Sequence, residues 1–316
     1  MILFFPLAAL AADPEPIPVK LDGQLFARFS YDLSEGMKGY NTFEIDRAML
    51  GARKEFGPHF AARILLDATR EVDDPRDWIY LKNAFGEYTV NEGGPQIQFG
   101  MVPTPLIGFE DRFWGMRFAS KSFADNNGVL SLADLGVGAK GSHSKGMVDW
   151  HIVAINGEGY TKPEVDKTKT FQGRLTVDPL SRGEKMNLPI TGFASYATAP
   201  ESGDSTFTWV GELGFKMDWF VATAEYLQSS TGKNTAGGYS AMVMPRSPSL
   251  GALYFRYDHF DPSDQAEKDS TDHVIGGVAH EVRKGVTVAV QYDRIMPEAT
   301  PDTPSHQVSA RAAVVF

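Results

Sequence analysis

From Val19 onward, apolar and polar residues alternate with a period of two. Val19, Leu21, Gly23, Leu25, Ala27, Phe29 and Tyr31 interleave with Lys20, Asp22, Gln24, Arg28 and Ser30, which sends one set to each face of an extended strand. The pattern returns over 41–55, 59–69, 78–90, 95–102, 133–141, 147–156, 168–178, 188–197, 206–215, 219–229, 238–244, 250–259, 272–282, 285–295 and 305–316. Together these segments predict about 16 strands. Many are about ten residues long, the length that carries a tilted strand across a bilayer.

The connections between them alternate in length. Short turns are expected at Gly57-Pro58-His59, Asn91-Glu92-Gly93-Gly94, His143-Ser144-Lys145-Gly146, Lys216-Met217-Asp218 and Arg283-Lys284-Gly285. Longer polar stretches are expected at 32–40, 70–77, 157–167, 230–237, 260–271 and 296–304. A membrane barrel has this asymmetry, with tight turns at one rim and longer loops at the other. The 178–188 turn and the brief 245–249 connection fit the alternation less neatly.

The apolar faces carry Trp150, Phe171, Tyr196, Phe207, Trp209, Phe220, Tyr226, Phe255 and Tyr257. Core packing accounts for aromatics as well as a lipid interface does, so the opposite faces decide more. These carry Arg53, Arg63, Asp67, Lys140, Asp149, Arg174, Glu212, Glu225, Arg256, Asp258, Asp293 and Arg311. Charge on most strands suits a face that touches water. In a barrel of about 16 strands that water fills the lumen. The expected fold is therefore all-β: a transmembrane antiparallel barrel over residues 13–316.

Composition narrows the function classes. A net charge of −10 argues against nucleic-acid binding, which needs a basic face, and against electrostatic docking on an anionic membrane. There is no Cys, so disulfide scaffolds, thiolate metal sites and Cys nucleophiles are excluded. Residues 1–12 form an apolar run ending Ala9-Leu10-Ala11-Ala12, which resembles a secretory signal with its small-residue cleavage site. It lacks the usual Lys or Arg in front, which points to a start codon further upstream. Beyond it no apolar run is long enough for a spanning helix, so any membrane crossing falls to strands. The chain closes on an alternating strand ending in Phe316, which resembles the assembly signal of outer-membrane barrels.

Several stretches resemble the phosphate-selective porin O and P family. They are Phe43-Glu44-Ile45-Asp46-Arg47-Ala48-Met49-Leu50-Gly51, Leu81-Lys82-Asn83-Ala84-Phe85-Gly86-Glu87-Tyr88, and Phe99-Gly100-Met101-Val102-Pro103-Thr104-Pro105 followed by Glu110. Ala133-Asp134-Leu135-Gly136-Val137, Asn156-Gly157-Glu158-Gly159 and Ala224-Glu225-Tyr226 complete the set. The motifs are short but spread over most of the chain. The resemblance implies a 16-stranded, trimeric porin of the Gram-negative outer membrane, with lipid and lipopolysaccharide around it. Phosphate selectivity does not carry over with it, because inward positions here hold acidic and basic residues in comparable numbers. A general or weakly selective channel for small hydrophilic solutes or ions is expected, with an anion- or phosphate-selective channel as the alternative.

The longest connection, residues 103–132, falls between the fifth and sixth strands, where general porins fold a loop inward as a constriction. Long loops without secondary structure are uncommon and usually functional. This one offers Glu110, Asp111, Arg112, Arg117, Lys121 and Asp125 among Phe109, Phe113, Trp114, Phe118 and Phe123. The aromatics would pin it to the wall while the charges face the channel; the other arrangement is a cap folded over the barrel mouth. On the wall, Arg53, Arg63, Arg174, Arg256 and Arg311 are the candidate pore-lining cations. With Glu110 and Asp111 opposite Arg53 and Arg63, a transverse field would filter ions. Arg47 shares its parity with Arg53 but also with Phe43 and Ile45, which calls for a bulge.

Other chemistry is thin. Glu71, Asp73, Asp74 and Asp77, and then Asp261, Asp264, Glu267, Asp269 and Asp272, read as solvated loop charges or as a divalent-cation bridge to lipopolysaccharide. The seven His residues show no metal-ligand spacing, and Asp125-Asn126-Asn127-Gly128 lacks the later ligands of a calcium loop. A barrel enzyme would need a nucleophile beside a base, and neither His151 nor His280 has Ser and carboxylate partners nearby in sequence. No catalytic residue, metal or cofactor is expected. An adhesive barrel is the third reading, separated from a porin by conductance.

Overall fold

The computed structural model describes residues 18–70, 77–181, 186–199 and 203–316. The expected secretory signal at 1–12, and Glu71, Asp73 and Asp74 of the first acidic cluster, lie outside the described residues.

Successive strands pair as antiparallel neighbours around a ring. The first eight are β1 (Lys20–Asp32), β2 (Asn41–Glu55), β3 (Phe60–Arg70), β4 (Asp77–Thr89), β5 (Gln96–Pro103), β6 (Ala133–His143), β7 (Val148–Ile155) and β8 (Thr170–Val177). The short β9 (Met186–Asn187) and β10 (Ile190–Ala197) share the next position, split at Pro189, which has no N–H to give the ladder. Then follow β11 (Thr206–Met217), β12 (Phe220–Thr231), β13 (Asn234–Ser247), β14 (Gly251–Asp261), β15 (Thr271–Arg283), β16 (Val286–Pro297) and β17 (Ser305–Val315). β17 returns to β1, with Gln24 opposite Val315 and Asp32 opposite Gln307. The sheet thereby closes into a barrel of 16 strand positions, in which strand edges pair with each other.

Each sequence-predicted strand is present, and the two faces are sorted as the alternation requires. Phe43, Ile45, Phe99, Ile152, Phe171, Leu175, Phe207 and Phe255 are exposed, whereas their chain neighbours on the other face are covered. A soluble sandwich would put the apolar set inside. Here the apolar side chains form an outer belt far larger than a monomeric soluble protein tolerates, as a lipid-facing wall requires.

Two bulges decide which charges enter the lumen. Between β1 and β2 the register steps from Phe26↔Arg47 to Ala27↔Ile45, leaving Asp46 as the extra residue. This keeps Phe43 and Ile45 outward while Arg47 and Arg53 turn inward, which resolves their parity conflict. Between β3 and β4 the step from Leu65↔Asn83 to Leu66↔Leu81 leaves Lys82 as the extra residue. Bulges re-aim side chains in this way, and both Asp46 and Lys82 make ion pairs with inward-facing partners.

The rims are unequal, with two departures from expectation. Short links at 56–59, 90–95, 144–147, 218–219, 248–250 and 284–285 share one rim, so the brief connection near Pro245 falls in line with the others. Longer links occupy the opposite rim, including one at 198–205 that the polar pattern did not mark. The polar stretch at 230–237, expected as a long loop, is instead a tight hairpin with only Gly232 and Lys233 between β12 and β13. Thr206, Thr231, Ser230 and Thr235 hydrogen-bond across the strands there, and Gly232 takes the positive φ of 60° that the turn demands. Polar composition marked water contact at this rim, not an end of pairing.

Candidate pore constriction

Residues 104–132 leave the rim after β5 and fold into the barrel. The segment was expected to be without secondary structure; it contains α1 (Ile107–Trp114) and the single turn α2 (Phe123–Asn126). Gly115 ends α1 in the left-handed conformation, with φ 75°, the usual helix stop. Ile107, Glu110 and Trp114 form the buried face of α1, a spacing that follows the 3.6-residue turn.

Apolar contacts place the loop against one side of the lumen. Trp114, Met116, Phe118 and Ala119 pack on Phe26, Val221, Met242, Met244, Tyr254, Ile275, Ala279, Ala289 and Ala313, the inward residues of β1 and β12 to β17. Leu106, Phe123 and Ala124 pack on Phe193, Val210 and Leu227 of β10 to β12. Phe113 rests on Gly214 of β11, where an added Cβ would lie 2.7 Å from the Phe113 ring and 2.8 Å from Pro189. A Gly at an inward strand position often marks such a close approach. Gly214→Val is expected to overpack this seat by about 1–3 kcal/mol. The folded variant should become cleavable by trypsin after Arg112 or Arg117, as read by mass spectrometry, while the parent loop stays protected.

Polar anchors complete the attachment. Arg174 Nε donates to the Pro105 carbonyl at 2.9 Å, Lys216 Nζ to Phe113 at 3.0 Å, and Arg311 Nη1 to Phe118 at 3.2 Å. Gln291 Nε2 donates to Ala119 at 3.1 Å and Arg256 Nη1 to Lys121 at 2.7 Å. Arg174 also stacks on Phe109, and Arg256 lies over Trp114. Three of the wall arginines expected to line the pore, Arg174, Arg256 and Arg311, are thus buried beneath the loop and hold its backbone. Each such charge-assisted bond is worth about 1.5–3 kcal/mol. Lys216 and Gln291 were missed by the sequence reading, although both occupy inward positions of the alternation.

The remaining site residues fall on two sides. On the loop, Arg117 is the internal staple, paired with Asp111 at 2.8 Å and with Asp125. Lys121 is exposed. Glu110 does not face Arg53 or Arg63. It travels with the apolar face of α1 and is turned to the wall, where Glu212 and Glu225 raise its pKa further beyond what burial does. Asp111 does not face them either, being taken by Arg117.

On the uncovered wall, Arg53 pairs with Glu87 at 2.7 Å, Arg63 with Asp22 at 2.7 Å, Arg28 with Glu44 at 2.6 Å, and Arg47 with Asp67 at 3.4 Å. Lys82 and Lys140 join Asp67 and Glu87, each at 3.5 Å. Tyr160, from the loop after β7, reaches in and donates to Asp67 at 3.1 Å.

One corner breaks this pairing. A cavity of about 450 Å³ is lined by Arg112, Lys140, Arg174, His151, Asp149 and Phe109 near the β4–β5 turn. Arg174 is held by Asp149, and Lys140 shares Glu87, but Arg112 on the outer face of α1 has no ion-pair partner among the described residues. Burial and the charge of Arg174 push the Arg112 pKa down. His151 faces inward and His280 outward, so the two cannot serve one active site. Asp272 accepts from Tyr257 and His259, and Asp264 accepts from the Thr235 amide, so the second acidic cluster is dispersed. Among the described residues no three acidic or imidazole groups are placed to share a metal ion.

No family model matches the sequence, and no characterised protein matches it by sequence. Solved structures do match. The anion-selective porin from Comamonas acidovorans aligns with a TM-score of 0.65 at 12% identity, over 95% of this chain and 99% of that one. Salmonella typhi OmpF, in complex with daunomycin, aligns at 0.70 with 9% identity, over 94% and 97%. The trimer form of Vibrio cholerae OmpT, folded in vitro, aligns at 0.61 with 12% identity, over 95% and 99%. The chain therefore has the fold of the outer-membrane porins.

Proposed function

We propose that the protein is an outer-membrane porin, a water-filled channel for passive diffusion of small hydrophilic solutes or ions, general or weakly selective, with residues 104–132 as its constriction. The observation that carries this reading is the accessibility of inward-facing charge. Side chains of Arg28, Arg53, Arg63 and Lys140 point into the barrel yet keep 28%, 28%, 24% and 35% of their surface open. Those beneath the loop, Arg174, Arg256 and Arg311, keep 3%, 5% and 7%. A plugged barrel would bury both sets. Weak selectivity follows from the wall, because each of these exposed cations has a carboxylate partner and the transverse field is largely cancelled.

The Arg112 corner favours a second reading, a modest preference for anions, since it leaves a cation without an ion-pair partner among the described residues beside open space. The motifs that resemble those of the porin O and P family, and the anion selectivity of the Comamonas protein, are in keeping with it. A homotrimer set in lipid and lipopolysaccharide belongs to the same proposal, supported by the apolar belt and by the trimer form of OmpT.

The test is single-channel recording of the purified, folded protein in planar bilayers. Steady ohmic steps are expected. A folded barrel that passes no current would remove the channel reading and favour an adhesive or enzymatic barrel.

A further inference from the structure

The seat of α1 holds a group of side chains that the diffusion pathway does not use. Glu212 and Glu225 are direct cross-strand partners on β11 and β12, both inward. Like charges in that position repel. α1 brings Glu110 down onto them, itself only 6% exposed. Neither Glu110 oxygen has a hydrogen-bond partner among the described residues, and one oxygen of Glu212 and one of Glu225 are likewise buried without one.

Other groups facing this seat do not neutralise it. From β8 comes Arg174, already paired with Asp149 of β7. From β14 comes Arg256, already bound by both oxygens of Asp258. Lys216 of β11 donates to the Phe113 carbonyl, Asp111 is tied to Arg117, and the nearby Ser122 hydroxyl does not close a hydrogen bond to Glu110. Each nearby cation thus has its own partner, and three ionised carboxylates together would leave the seat strongly negative in a poorly hydrated place. Among the described residues no three such groups are placed to share a metal ion. Protonation relieves the repulsion instead, because a carboxylic acid carries no charge.

We propose that Glu110, Glu212 and Glu225 form a protonated-carboxyl latch that seats the constriction loop on the wall and weakens as the solution becomes alkaline. The sign follows from linkage. Burial, and then Glu225 and Glu212, hold the Glu110 carboxyl well above its ordinary 4.5. Its contribution to docking is therefore complete in acid and is lost as pH rises towards the docked-state value. Each unit by which docking raises the carboxyl pKa changes the docking equilibrium about tenfold. A released α1 leaves its seat and fluctuates beside the passage, so transitions between conductance levels become more frequent in alkali.

This rests on the channel reading for its electrical arm only. Single channels are recorded across a series of buffers from mildly acidic to alkaline for the parent, Glu110→Gln and Glu225→Gln. Acrylamide quenching of Trp114, taken as the difference from Trp114→Phe, follows the loop in the same protein without current. The parent is expected to show about tenfold more transitions between conductance levels and a rise in Trp114 quenching at the alkaline end; either Gln variant should flatten both. A flat parent, or an equal response in parent and both Gln variants, overturns the latch. Absence of current removes the channel reading alone, since quenching still supports or overturns the latch.

Discussion

Arg256→Ala is expected to free the constriction loop and produce a larger, noisier channel. The guanidinium grips Asp258 through two 2.7 Å bonds, donates to the Lys121 carbonyl and underlies Trp114. Truncation leaves Asp258, itself 3% exposed, as a buried charge without its partner. Such a loss costs about 3–5 kcal/mol, more than any other single polar anchor contributes. Liposome swelling should then admit sugars that the parent excludes. Arg256→Lys keeps the charge without the fork geometry and should fall between the two. Unchanged conductance and size cut-off in the folded Ala variant would show that the loop is held without Arg256.

Reversing Arg112 and Lys140 together, Arg112→Glu with Lys140→Glu, is expected to shift the channel's ion preference towards cations. These are the two cations of the open corner that do not hold the loop, and Arg112 has no ion-pair partner among the described residues. At separations of several ångströms and an intermediate dielectric, two inverted charges change an ion's energy by about 1–2 kcal/mol after screening, or roughly tenfold in the permeability ratio. Reversal potential in a salt gradient reads this directly, and the shift should shrink at high salt. Arg53 and Arg63 make the contrast: each is matched by a carboxylate, so replacing one neutral pair by another should move the potential far less. An unmoved reversal potential in the Arg112/Lys140 variant would exclude that corner from the ion path.

What could be read from the sequence was whatever depends on neighbours in the chain. Period-two alternation is local, so the strands, their faces and the need for a bulge before Arg47 were legible. The inward parity of Arg174, Arg256 and Arg311 was legible too. That these three end beneath the loop was not, because it depends on where a distant segment lands. Glu110 shows the same limit at shorter range. Within a loop it reads as another charge for the channel, and only once 107–114 coils does it share a face with Ile107 and Trp114. The hairpin at Gly232 was hidden for a different reason: strands that rise beyond the membrane become polar on both faces and look like loop.

The alternation has a consequence for the chain before it folds. An apolar residue at every second position gives no continuous run of the length that a bilayer retains as a helix. A polypeptide with this pattern can therefore be threaded through an inner membrane without lodging there, although its finished outer surface is oily enough to dwell in lipid. The greasy belt does not exist along the thread; it comes into being when β17 meets β1 and the odd and even residues are parted to opposite sides of a wall.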